Sequence, residues 1–247
     1  MRISYAVFAI TKKYAVPMPT IAACGIGVLA AGCAGYALDR LIYLPLRRRK
    51  ASSMVVMVAS LGAFTALQAV LAITFSSQFQ ALAESAGTTG IFEWHGAIMT
   101  HVQAIIVAAG ITIMAVLGWM MKKTLFGKAV AAIQDDEEVS RMVGIDTERI
   151  VGRVFFIGSA IAGVAGILVG FDTGIEPTMG MNLLLKGTVA SIIGGVGNIY
   201  GGFLGAFLLG FAENFGIWKI SGEWKDAIAF VLLIVFLLVR PQGIMKK

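Results

Sequence analysis

Two stretches of this chain hold residue types whose spacing can do work. The first is Gln134-Asp135-Asp136-Glu137-Glu138-Val139-Ser140-Arg141-Met142-Val143-Gly144. Asp135 is placed to cap a short helix, and Glu138, three residues on, completes a capping box. Acids fill the first turn and Arg141 stands near the last, as the helix dipole favours. Val139, Met142 and Val143 fall at i, i+3 and i+4 and form an apolar stripe. Gly144 supplies the stop. The expected product is a short amphipathic helix with one charged and one apolar face. Such a helix can dock another protein or lie on its own bundle, and the pattern alone leaves both readings open.

The second stretch is Gly194-Gly195-Val196-Gly197-Asn198, which interrupts the otherwise apolar run Leu183–Gly216. A broken helix at membrane depth is tolerated only where it is buried in protein or lines a cavity. It is also a device by which transporters expose backbone groups to a solute. A packing turn and a translocation path are both compatible with it. Lys186 and Glu213 flank the break. Charges in apolar segments pair, snorkel or line a path. His95 and His101 lack companions at metal-ligand spacing and read as interfacial, so no metal site is expected. Asp172 and Glu176 are either solvated or face basic groups of another protein. Cys24 and Cys33 form no CxxC pair and read as small buried packing residues. The sequence holds no GxxxxGK[ST], HExxH or GxSxG and no paired intramembrane carboxylates. An ATPase is excluded, a membrane-embedded enzyme is disfavoured, and no cofactor is expected.

The elements that carry these stretches follow from composition. Apolar residues make up 58% of the 247 residues and charged ones only 14%, where a soluble chain carries about a quarter. The apolar runs approach or exceed the ~20 residues that cross ~30 Å of hydrocarbon. They predict an all-α, polytopic bundle of about six spans: Met18–Leu38, Ser52–Phe75, Ile98–Met120, Val151–Phe171, the broken Leu183–Gly216 as two half-spans, and Trp224–Val239. Small residues recur every fourth position at Gly158, Ala162, Gly166 and Gly170, at Gly201 and Gly205, and at Gly202, Ala206 and Gly210. Such stripes let helices pack closely in lipid.

Basic residues set the orientation. Arg40–Lys50 carries five, Lys122–Arg153 six, and the tail from Arg240 three. These segments face the cytoplasm, so Ser76–Gly96 and Asp172–Asn182 face outward. The net charge of +6 belongs to these loops, and no long basic face suggests nucleic acid. Arg2, Lys12 and Lys13 fall on the wrong side of this topology.

The segment Gly127-Lys128-Ala129 through Asp135-Asp136, followed by Met142-Val143-Gly144-Ile145-Asp146-Thr147-Glu148-Arg149, resembles the cytoplasmic loop of the branched-chain amino acid permease family of ABC importers. The resemblance continues through Phe156–Gly166, Lys186-Gly187-Thr188-Val189-Ala190, Ile193–Gly201, Leu209–Glu213, Lys225-Asp226 and Arg240-Pro241-Gln242-Gly243-Ile244. Upstream it takes in Leu41-Ile42-Tyr43-Leu44-Pro45-Leu46-Arg47 and begins near Pro17. It implies one transmembrane permease domain over 1–247, with 122–149 as a cytoplasmic coupling loop. The implied setting is a bacterial or archaeal inner membrane. The implied partners are lipid, a second homologous permease, two cytoplasmic ATPases and an extracytoplasmic binding protein. Asp135, Asp136, Glu138, Val139, Met142, Val143 and Gly144 would couple to the ATPase. Gly194, Gly195, Gly197, Asn198, Lys186 and Glu213 would border the path. Another small solute, such as an amide, urea or a sugar, is the alternative cargo. The family begins with two further apolar helices and an Asn-Phe-Ala-His-Gly stretch, of which Met1–Val16 resembles only the remnant of the second helix; the chain reads as N-terminally truncated relative to the family, with the missing part expected upstream of Met1.

Overall fold

The computed structural model describes residues 20–75, 91–94, 97–174, 179–218, 222–240 and 243–245. Arg2, Lys12, Lys13, Pro17, Met18, Gly87, His95, Glu176 and Thr178 lie outside the described residues. The described chain is overwhelmingly helical. Four helices are long and apolar enough to cross a membrane, or five if the one bent pair counts as a span.

The order is α1 (Thr20–Leu38), a π-helical turn (Asp39–Tyr43), α2 (Leu44–Arg48), α3 (Ser53–Phe75), an antiparallel strand pair β1 (Ile91–Trp94) and β2 (Ala97–Thr100), and α4 (His101–Lys123). Then come α5 (Leu125–Asp135), α6 (Glu137–Met142), α7 (Thr147–Thr173), α8 (Met179–Gly194), α9 (Ile199–Ile217), a 3-10 turn (Gly222–Trp224) and α10 (Lys225–Val239). Two differences from expectation have clear causes. The basic block Arg40–Lys50 is not a loop, because the first helix runs on through the π turn to Arg48. Pro45 falls in the first turn of α2, where a missing N–H costs least. The third span starts at His101 rather than Ile98, because Ala97–Thr100 pairs as a strand with Ile91–Trp94.

The described helices form two compact units, residues 1–111 with 121–177, and residues 112–120 with 178–247. In the first unit α1 and α7 run antiparallel. Ala23 packs near Phe171 at one end. At the other, a methyl placed on Gly152 would meet the Tyr36 ring and lie 3.4 Å from Asp39 Oδ2. Between them, methyls on Gly32 and Gly35 would run into Phe156 and Ser159. The face of α7 that packs is therefore Gly152, Ser159, Gly163, Gly166 and Gly170. Gly158 of the expected stripe is exposed, with open space where a side chain would go. Cys33, expected inside, is exposed on α1, and Cys24 is half-buried.

In the second unit the break turns the chain by 116° between α8 and α9. These are longer than half-spans. With 16 and 19 residues they measure about 24 and 28 Å at 1.5 Å per residue. Their backbones touch. A methyl on Gly194 would overlap the Gly201 carbonyl, and one on Gly205 the Ala190 carbonyl. Val189, Ala190, Ile193, Leu209 and Ala229 of α10 form the core beside this contact. The stripe Gly202–Gly210 is different, since methyls on Gly202 and Gly210 would meet nothing.

The tail closes the unit. The Ile244 and Met245 N–H groups donate to the Ile193 and Gly194 carbonyls at 2.9 and 3.1 Å. These are carbonyls that a helix C-terminus leaves without intrahelical partners. Gly243 turns the tail inward at φ 77°, where an L-residue costs about 1–2 kcal/mol, and a methyl placed on it would overlap the Gly195 backbone.

Glycine substitutions separate packed from open positions. Gly205→Ala should lower stability by about 1–3 kcal/mol, the cost of overpacking. Gly202→Ala should be neutral or stabilising by about 0.5–1 kcal/mol, as for Gly to Ala in a helix interior. Thermal unfolding of the detergent-purified variants measures both; equal effects would refute the assignment of faces.

Candidate functional site

Residues 124–149 form a tightly braced polar segment. Thr124 caps α5, its Oγ1 accepting from the Gly127 N–H at 3.1 Å. Asp135, expected to cap the next helix, is instead the last residue of α5. The cap is Asp136. Its backbone is extended, and its N–H closes α5 on the Ala132 carbonyl. Its Oδ1 accepts from the Glu138 and Val139 N–H groups at 2.8 and 3.1 Å. One residue thus ends one helix and begins the next. The capping box is lost, because the position three after Asp136 is Val139. Glu137 pairs with Arg141 across one turn at 2.7 Å instead.

Arg141 also donates through Nε to Thr147 Oγ1 at 2.9 Å, tying α6 to the first residue of α7. Gly144 makes the intervening turn at φ 90°, and Asp146 caps α7 through the Arg149 N–H at 3.1 Å. Ser140 and Thr147 are buried beneath this turn. The apolar stripe is not. Val139, Met142 and Val143 are 53%, 82% and 76% exposed. They point away from the body of their own unit, on a helix whose other contacts are fixed by polar bonds. Asp135, Asp136 and Glu138 are exposed beside them.

At the α8–α9 break, Gly194 and Gly195 are buried, while Val196 and Gly197 are exposed. Asn198 caps α9, its Oδ1 accepting from the Tyr200 and Gly201 N–H groups at 3.0 and 3.2 Å. Together with the tail, this cap uses hydrogen-bonding groups on both sides of the break. Farther along the same helices, Lys186 Nζ lies 3.0 Å from Glu213 Oε2 and 3.4 Å from Asp226 Oδ1. Glu213 is buried and its Oε1 has no partner. Asp226 starts α10 and is exposed. Two carboxylates thus share one ammonium, next to a shallow cavity lined by Asn182, Lys186, Asp226 and Phe230. Asp226 was read in the sequence only as part of a motif, because 40 residues separate it from Lys186.

A third polar group escaped the sequence reading altogether. Asp39, in the π turn, is fully buried and ion-paired with Arg47. Its Oδ2 and Arg47 Nε find no other partner. Next along α2, Arg48 grips Glu148 of α7 with two bonds, Nε–Oε1 at 3.0 Å and Nη2–Oε2 at 2.8 Å. The one available signal was a lone carboxylate at the end of an apolar run, eight residues before an arginine. No group of three or more potential metal ligands occurs among the described residues.

Comparison with known proteins gives the chemistry its context. The family model "Branched-chain amino acid transport system / permease component" matches residues 1–237. The match takes in the first sixteen residues, so likeness to the family does not begin at Pro17. The high-affinity branched-chain amino acid transport system permease protein BraD of Pseudomonas aeruginosa is 30% identical over 236 residues, covering 94% of this chain and 76% of BraD. The permease LivH of Salmonella typhimurium is 33% identical over 224 residues, covering 89% and 72%. The autoinducer 2 import system permease LsrC of Klebsiella pneumoniae is 30% identical over 125 residues, covering 47% and 36%. No solved structure matches the chain. With long apolar helices, a polar segment braced outside them and a family match over all but the last ten residues, the chain belongs to the permease components of branched-chain amino acid transport systems, as a multi-pass protein of the inner membrane.

Proposed function

We propose that this chain is a translocating subunit of an ATP-driven importer of branched-chain or related amino acids. It acts with a second homologous permease, two cytoplasmic ATPase subunits and an extracytoplasmic binding protein. The observation that carries the coupling part is the exposed stripe of Val139, Met142 and Val143 on a helix held rigidly from behind. Side chains of this kind at i, i+3 and i+4 suit a groove on a partner. The flanking acids Asp135, Asp136 and Glu138, and the sharp stop at Gly144, give the helix a defined end and a charged rim. The cargo assignment is supported by the relatives that span most of the chain. An importer of another small solute is the second reading, favoured by a likeness to LsrC over about half the chain.

Substituting Met142 or Val143 with Asp should strip the ATPases from the purified complex. Stability of the permease itself should change by no more than about 0.5 kcal/mol, because both side chains are exposed. Co-purification on a tagged permease reads the outcome, and full ATPase retention would defeat the docking role. The same helix reports orientation. A cysteine at Met142, with Cys24 and Cys33 replaced and the permease made without its ATPases, should react with an impermeant maleimide in inverted vesicles and not in intact cells. Ser140 is unsuited to that test because it is buried.

For the path, we propose Lys186, Glu213 and the exposed tip at Gly197 as its border. Gly194, Gly195 and Asn198 shape the break and are committed to internal packing and capping. Lys186→Met alone strands a buried carboxylate and should cost about 3–5 kcal/mol, whereas Lys186→Met with Glu213→Met should recover most of that loss. Unfolding and uptake of the double variant are measured together. A folded double variant with a changed half-saturation for leucine supports the path; unchanged uptake assigns the pair to packing.

A further inference from the structure

Resting on the docking role of α6, we propose that Arg48 and Glu148 form the joint through which displacement of that helix reaches the apolar helix α1. The links run in series. Arg141 of α6 holds Thr147, the first residue of α7. Glu148 follows at once and takes both ends of the Arg48 guanidinium. Arg47, beside it, is paired with buried Asp39 in the π turn below α1. Asp39 in turn lies against Gly152. Glu148 and Gly152 are four residues apart, so they share one face of α7. The end of the first helix is thereby fixed to α7 at two points one turn apart. A single contact would let it pivot; two points carry rotation as well as translation.

The joint also sits beside an irregularity in the helix backbone. A π turn interrupts the i to i−4 ladder, and Pro45 removes another donor just beyond it. Two parallel N–H to carboxylate bonds fix orientation better than a point charge does. Stability does not explain the pair. Arg48 is largely exposed, exposed ion pairs contribute little to folding, and the close packing of α1 on α7 already holds the helices together. Arg48 and Glu148 are thus positioning residues for coupling.

The test uses the complete complex, reconstituted in proteoliposomes with its ATPases and binding protein, and the variants Arg48→Glu, Glu148→Arg and the double exchange. Each single variant should retain its ATPases on co-purification yet move at least fivefold less leucine per ATP hydrolysed. The double exchange should return to within twofold of the parent. A purely structural pair would lower assembly, uptake and ATP turnover together and leave the ratio unchanged, which would overturn the proposal. A second readout needs no solute. Spin labels at Leu41 and Gln134 should give one narrow distance in the parent, both without nucleotide and with magnesium-ATP and vanadate. Arg48→Glu should broaden it. Equal widths in parent and variant would also overturn the proposal. Failure of the docking reading is distinct: it would appear as ATPases retained by Met142→Asp.

Discussion

Everything in this fold answers to one constraint: in hydrocarbon, a backbone N–H or C=O that is not bonded within the protein has no water to fall back on. Continuous helices meet it trivially. The break between α8 and α9 does not, and it is there that the chain spends its most specific contacts. Asn198 supplies an acceptor for two orphan N–H groups at the start of α9. The tail, returning from the end of α10, supplies donors for two orphan carbonyls at the end of α8. The glycines at 194, 201 and 205 let the two helices pack backbone to backbone beside these caps.

The same constraint governs charge. Among the described residues, carboxylates that leave water do so with a cation in reach: Asp39 with Arg47, Glu213 with Lys186. Each pair still leaves one oxygen unbonded. Burying an ion pair is seldom a net gain over apolar packing, so hydrophobic residues of similar volume would serve stability as well. The positions therefore speak of geometry. Asp39 ties the π turn to Arg47 of α2, and Lys186 holds α8 against both α9 and α10.

How much of this could be read from the residues depends on the range over which each signal acts. Spans were legible because apolar length is a property of one segment. The break was legible because three glycines in four residues cannot continue a helix cheaply. Local capping was nearly legible. The acidic run predicts a helix start, but choosing Asp136 over Asp135 requires knowing that α5 runs on to Asp135, which depends on the Thr124 cap eleven residues upstream. The basic block 40–50 misled because Pro45 and five cations suggest a loop, while packing on α7 keeps it helical. Illegible were the pairings: Arg48 with Glu148, Lys186 with Asp226, the tail with Ile193. Each joins residues far apart in sequence, and nothing in either partner's neighbourhood names the other. The four-residue glycine spacing was equally blind to direction. It marks Gly158 and Gly166 alike, and only the second is buried.

Function divides along the same line. What a membrane subunit shows to lipid is constrained mainly to be apolar, so most exposed side chains of α3, α4 and α10 carry little information. On the proposed docking reading, the charge-rich segment 124–149 leaves the membrane and is free to be polar throughout. When it nevertheless exposes valine, methionine and valine on a helix braced by Thr124, Asp136, Arg141 and Asp146, the apolar choice is not imposed by the solvent, and the bracing is not needed to keep the stripe out of water. Both features accord with the proposal that this face is covered from outside and pushed without yielding. On that proposal, the bracing of α6 and the joint of Arg48 with Glu148 stand at the two places where, in a machine that converts closure of one body into movement of another, compliance would waste the stroke.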